Sequence, residues 1–225
     1  MEKMRALGFA RSILSRNVLL NLYYQTQNYD KLENLPIVIG NKDSLIKLLG
    51  IWQYMIDEYP RYHHVKKIDL EFARDVEDSH LILIKQKCFE SLQCLESLNL
   101  NGCQKISDTG IEAITSCCPQ LKNFPSTGIF TDEAYKKICL LEHLKFLDLC
   151  GAQNLSDEGL SYISKSKNLA SLNLTCLFGI TGVTDKCLEE LSKSCSDKIT
   201  TLDVNGCIGI ANQYLMFDNK EDHFP

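Results

Sequence analysis

The chain has 225 residues, a formal net charge of −5 and an apolar fraction of 44 %, enough for one domain with a real core plus an appendage. Its 24 Lys and Arg stand against 29 Asp and Glu, so no basic excess makes nucleic acid a main partner. No apolar run approaches the roughly 18 residues of a membrane-spanning helix, which excludes a transmembrane helix and a membrane partner.

Residues 1–61 precede any repeat. Arg5, Arg11 and Arg16 interrupt every apolar run before it reaches signal-peptide length, so the eleven cysteines, an odd number, do not read as a secreted disulfide framework. Reduced thiols in the cytoplasm and/or nucleus are expected. The same arginines with Lys3, and no acid through residues 3–29, also fit a mitochondrial transit peptide. Structural zinc is not expected: adjacent Cys117 and Cys118 form no C-x(2–4)-C pair, and His63, His64, His80, His143 and His223 form no H-x(3–5)-H pair. In "NKDSLIKLLGIWQYM", Leu45, Leu48, Leu49 and Trp52 fall on one helical face and read as an amphipathic cap over the open end of a repeat stack.

From residue 62 the chain repeats. Asp78, Asp108, Asp132, Asp157 and Asp185 are spaced by 30, 24, 25 and 28 residues. Two residues before each lies an apolar residue (Val76, Ile106, Phe130, Leu155, Val183), and others stand at +3 and +6, on one helical face. The Asp, preceded four times by Ser or Thr, suits an N-cap whose carboxylate accepts orphan backbone N–H groups. Before the helices, Val65-x-x-Ile68-x-Leu70, Leu95-x-x-Leu98-x-Leu100, Leu144-x-x-Leu147-x-Leu149, Leu169-x-x-Leu172-x-Leu174 and Ile199-x-x-Leu202-x-Val204 carry the alternation of half-buried strands. Strand, turn and short helix at this period predict a right-handed α/β leucine-rich-repeat solenoid over 62–210. It would have five to six units, a parallel concave sheet and outer helices, with a frayed tail at 211–225 that keeps Asn212 and Leu215 as traces. Cys103, Cys150, Cys176 and Cys207 recur as small residues expected to pack the narrow inner side of the coils.

Residues between strand leucines face the concave side and stack into columns. One reads Asp69, Asn99, Asp148, Asn173, Asp203, interrupted by Pro125; another Glu71, Asn101, Thr175, Asn205; a third Lys67, Ser97, Phe146, Ser171, Thr201. Either this is a solvated polar face whose Asn ladders support the turns, or it reads a basic or amide-rich partner segment. Asp69, Asn99, Asn101, Phe146, Asp148, Asn173, Thr175, Asp203 and Asn205 are the candidate partner-binding residues, and Phe146 is the best anchor. No nucleophile-elbow, phosphate-loop, dinucleotide or zincin motif occurs, so no enzyme and no cofactor are expected.

The run "LESLNLNGCQKISDTGIEAITSCCPQLK", with "LKFLDLCGAQNLSDEGLSYI" and "TTLDVNGC", resembles the cysteine-containing leucine-rich repeat of plant F-box proteins over roughly residues 60–210. The resemblance implies a substrate-binding subunit of an SCF-type ubiquitin ligase. An F-box would hold a Skp-type adaptor and cullin, while the repeats hold a client protein. Two departures stand out. Leu35-Pro36 lies too close to Trp52 for a family F-box, so residues 1–61 are expected to be a helical segment that is either a cap or a degenerate F-box remnant, with "NKDSLIKLLGIWQYM" an echo of the F-box's second half. The third and fifth units place six and eleven residues, rather than eight, between the last strand residue and the Asp, as if repeats had been joined in a shortened family member. A free-standing scaffold or competitor without the adaptor is the alternative reading, and a poorly folding vestigial product a third.

Overall fold

In a computed structural model of the chain, residues 36–50, 52, 56, 62–126, 128–177, 182–195 and 198–210 are described. The basic segment at 3–29, Leu35, the tail 211–225 with Asn212 and Leu215, and part of the fifth-unit join lie outside these residues. The described elements are β1 (Ile37–Val38), α1 (Lys42–Gly50), β2 (Lys67–Asp69), α2 (Asp78–Leu92), β3 (Ser97–Asn99), α3 (Asp108–Thr115) and β4 (Asn123–Pro125). They continue with α4 (Asp132–Ile138), β5 (Phe146–Asp148), α5 (Asp157–Ile163), β6 (Ser171–Asn173), α6 (Asp185–Cys195) and β7 (Thr201–Asp203). The seven strands form one parallel sheet in strict chain order. No helix among the described residues is long and apolar enough to cross a membrane.

The core is the one the periodicity implies. Every apolar residue two before, three after and six after the five aspartates is buried, together with the apolar residues of the strand motifs from β2 to β6. Those of the last motif, Ile199, Leu202 and Val204, are half-buried, because no described unit covers them. Neighbouring helices pack in sequence, so each unit covers the apolar side of the next. In β3 to β6 only the middle residue is buried while its neighbours are half-buried, the pattern of a sheet covered on one face.

The sheet reaches back beyond residue 61. Ile37 pairs with Ile68 and Val38 with Asp69, while the Ile39 N–H donates to the Asp69 carbonyl at 2.8 Å. Ile37-x-Ile39 is thus the end of a strand motif whose first apolar position is taken by Asn34, which hides it from the repeat pattern. Leu45, Leu48, Leu49 and Trp52 are all buried. The Trp52 indole donates to Ser91 Oγ at 3.4 Å and meets Tyr62 edge-on at 5.2 Å, tying this segment to α2.

The aspartates do something other than cap their own helices. Ser107, Thr131 and Ser156 are the N-caps, in extended backbone, and their hydroxyls accept the N–H two residues on. The Asp is the first helical residue, and its carboxylate crosses to the following unit. Asp78 accepts the Ser107 N–H at 2.8 Å and the Ser107 hydroxyl at 2.5 Å. Asp132 takes both groups of Ser156, at 3.4 and 2.6 Å, and Asp157 both groups of Thr184, at 2.9 and 2.6 Å. Asp108 binds Thr131 in the same two-pronged way. A hydroxyl both donates and accepts, so Ser or Thr can serve its own helix and the preceding carboxylate at once; an Asp cap could not.

Glycine lets the carboxylate in. A Cβ at Gly110 would lie 2.4 Å from Asp78 Oδ1, and one at Gly159 2.3 Å from Asp132 Oδ1. The Gly110 N–H adds a third bond to Asp78 at 3.1 Å.

The cysteines divide. Cys103 and Cys207 are buried, and their thiols donate to the Leu70 and Leu174 carbonyls of the preceding unit, each at 3.1 Å. They stand three residues after the last strand apolar position. There Ala73 and Ala152 fill regular coils and Leu177 the longer fifth unit. Cys150 and Cys176 stand only one and two residues after it, so they miss the inner side: Cys150 is half-buried and Cys176 exposed. The expectation that all four pack the coil interior is corrected to two.

Both irregular units keep the sheet in register. Asn123, Phe124 and Pro125 pair with Phe146, Leu147 and Asp148, and Ser171, Leu172 and Asn173 with Thr201, Leu202 and Asp203. In the short third unit the buried strand-end position holds Ser126, and the aromatic residues Phe124, Phe130 and Tyr135 fill the volume a leucine-rich turn would occupy. Pro125 accepts the Leu100 N–H at 2.9 Å but has no N–H to return. The β3–β4 ladder accordingly pairs Ser97 with Asn123 and resumes at the Leu100–Ser126 bridge. Ser126 Oγ and Tyr135 Oη are buried there without a partner.

Three outcomes are expected for stability. Asp157→Ala strands a Thr184 N–H and hydroxyl and is expected to cost about 2 kcal/mol in urea unfolding. Gly159→Ala, which on helix propensity alone would gain about 0.5–1 kcal/mol, is expected to destabilise, because its methyl displaces the Asp132 carboxylate. Burial pushes the Cys103 and Cys207 thiols up to about 11, so the folded chain holds them protonated. Their contribution is present below the ordinary thiol value of 9.0 and is lost as pH rises through about 11, which melting curves across pH 8–11 read directly.

Candidate protein-binding face

The side of the sheet turned away from the helices is built from residues alternating with the buried leucines. Register fixes three rows. Lys67 pairs with Ser97, Ser97 with Asn123, Asn123 with Phe146, Phe146 with Ser171 and Ser171 with Thr201. The second row runs Asp69, Asn99, Pro125, Asp148, Asn173, Asp203, with Pro125 paired to Asp148 rather than displaced from the sheet. The third continues two residues on through Glu71, Asn101, Cys150, Thr175 and Asn205. Asn123 and Cys150 are members that the sequence columns leave out. Aligning Leu121 and Phe124 already marks Asn123, and Cys150 is hidden by its assignment to the core.

The second row has its own employment. Each side-chain oxygen accepts the N–H two residues on: Asp69 from Glu71 at 2.9 Å, Asn99 from Asn101 at 3.0 Å and Asp148 from Cys150 at 3.0 Å. Asn173 does so from Thr175 at 2.9 Å and Asp203 from Asn205 at 3.0 Å, with the Asn205 amide adding a second bond at 2.8 Å. These are Asx turns that bend the chain out of each strand. One residue further, the backbone turns to positive φ at Gly102, Gly151 and Gly206, and also at Phe72 and Cys176, where a side chain is carried in a glycine conformation. One oxygen of each Asp or Asn is therefore committed to a turn, and each of these residues is half-buried.

Phe146 is half-buried in the first row between Asn123 and Ser171, apolar on a polar surface. Lys122 and Glu96, at the entry to β4 and β3, form an ion pair at 3.0 Å across the units. Of the nine candidate residues, the sheet brings Phe146, Asp148, Asn173 and Thr175 onto two adjacent units and Asn99 and Asn101 onto one. Asp69 lies at the first unit and Asp203 and Asn205 at the last. Among the described residues no group of three or more His, Cys, Asp or Glu lies close enough to hold a metal ion.

The family model described as "Leucine Rich repeat" matches residues 91–114 and 141–164, which are the β3–α3 and β5–α5 units. Among solved structures, the chain is similar to that of the yeast Rad7 and Elc1 complex, at 16 % identity and a TM-score of 0.48, over 93 % of this chain. It spans 57 % of the length of that structure's chain. An internalin of Listeria monocytogenes is similar at 11 % identity and a TM-score of 0.27, covering 79 % of this chain and 70 % of its own. The parallel sheet in chain order, the alternating helices and the two matched repeats make this chain an α/β leucine-rich-repeat solenoid.

Proposed function

We propose that the chain is a substrate-recognition subunit of an SCF-type ubiquitin ligase, which holds a client protein on the open sheet face for ubiquitin-dependent degradation and performs no chemistry itself. The supporting observation is that face: in-register rows of outward polar groups on rigid strands, with Phe146 as an apolar anchor among hydrogen-bonding neighbours. Asp69, Asn99, Asn101, Asp148, Asn173, Thr175, Asp203 and Asn205 supply the polar contacts, Asn101 through its amide N–H groups because its Oδ1 is buried. The cytoplasm or nucleus is where such a subunit would work. Residues 1–61 would carry the adaptor-binding part and 62–210 the client-binding part.

A second reading, a scaffold or competitor that holds the client without an adaptor, is supported by the N-terminal segment. Leu45, Leu48, Leu49 and Trp52 are spent on the core, which leaves Ile46 as the exposed large apolar residue of α1. The two readings separate in one measurement: binding of the full chain to a purified Skp-type adaptor, beside Ile46→Asp, which leaves the buried face intact. Under the ligase reading the chain binds and the variant loses about tenfold in affinity, the equivalent of one apolar contact. A cooperatively folded chain that binds no adaptor establishes the second reading in its place.

A further inference from the structure

The backbones of Cys150 and Cys176 take part in the turns, but their thiols are used neither by the core nor to close a turn. Cys150 lies in the outward third row with Thr175, and Cys176 sits at φ 61°, where three other units have glycine. Asp148 pairs with Asn173, and the Gly151 N–H donates to the Thr175 carbonyl at 3.0 Å, so the pairing continues past both strands. Cys176 is therefore one residue beyond the position facing Cys150. A strand spacing of about 4.8 Å to Thr175 and one peptide step of about 3.8 Å beyond it put the two Cα atoms about 6 Å apart. A disulfide spans about 4.4–6.8 Å between Cα atoms. The side chains meet as well, since the Cys150 thiol interacts with those of Thr175 and Cys176. Cys176 is exposed and Cys150 half-buried, so one thiol is open to reagents and the other is shielded behind it.

We propose that Cys150 and Cys176 are a dithiol site, oxidised by small-molecule disulfides to an intramolecular disulfide between the β5 and β6 units. The Cys176 thiolate attacks one sulfur of the small disulfide, a mixed disulfide forms, and the first small thiol leaves. Cys150 then gives up its proton to solvent and attacks the Cys176 sulfur, expelling the second. The chain loses two electrons and two protons, and the small disulfide becomes two thiols. Burial holds the Cys150 thiol above its ordinary range, in part against the Thr175 hydrogen bond, which suits it to the second step rather than the first.

The test uses the full native chain and oxidised glutathione, followed by blocking of free thiols and mass mapping of peptides without reduction. The expected product joins Cys150 to Cys176, lighter by two hydrogens. Cys94 and Cys139, half-buried thiols elsewhere, serve as internal controls. In Cys150→Ser, a glutathione adduct should persist on Cys176 at least about tenfold longer than in the native chain, because the neighbouring thiol acts at millimolar or higher effective concentration. Melting curves establish that the variant is folded, and the surface position of the thiol makes Ser a mild change. A native chain that keeps a stable adduct on Cys176, or leaves both thiols unmodified while Cys94 or Cys139 reacts, would overturn the proposal.

Discussion

The structure depends on a carboxylate that looks forward. In four successive junctions the Asp at the start of one helix holds both the amide and the hydroxyl of the residue that caps the next. The contact is charge-assisted and two-pronged, so it fixes distance and orientation together. It also lies at the helix N-terminus, where the backbone dipole favours the negative charge. Each unit is thereby positioned by its predecessor, and the regular stacking of strands and helices results. The ladder persists where the strand-to-helix segment is shorter or longer than usual, so irregular length is absorbed in the loops and never at the junction.

Two further ladders run beside it. On the inner side Cys or Ala closes each regular coil and Leu177 the longer fifth unit, and where the residue is Cys the thiol binds the preceding strand end. On the open face Asp and Asn oxygens close the Asx turns. All three ladders use side chains whose partner is backbone or a short hydroxyl, so they demand few residue types at fixed spacing. The rest of the open face is left free to vary.

That division explains how much is legible in the chain of residues. The Asp, Leu and Ile spacing reports backbone geometry, which repeats, and so the fold and its core can be read from it. The aspartate's role is hidden because a local rule, N-capping, and a non-local one, the inter-unit bond, both ask for a short acceptor near a helix start. Cys150 and Cys176 lie one or two residues short of the inner position, a small offset in sequence that in a turn exchanges the inside for the outside. Ile37 and Ile39 escape the pattern because Asn34 stands at the first apolar position of their motif. Phe146 and the polar rows can be placed on the open face, since alternation alone sets that. Which of their atoms the Asx turns occupy cannot be, because it depends on the path of the chain after the strand.

The third unit gives the molecule a seam. In a one-dimensional stack, stability is the sum of units and nearest-neighbour interfaces, and cooperativity extends only as far as its weakest interface allows. Around Pro125 the backbone ladder is thinned, and Ser126 and Tyr135 keep polar atoms in the core with nothing to bind. On one side lie β1 to α3, on the other β5 to β7. The Asp108 carboxylate still crosses to Thr131 there, so side chains hold the junction where the backbone ladder gives less. A partner seated over Phe146, which pairs with Asn123 of that same unit, would therefore bind next to the interface where side chains stand in for missing backbone bonds.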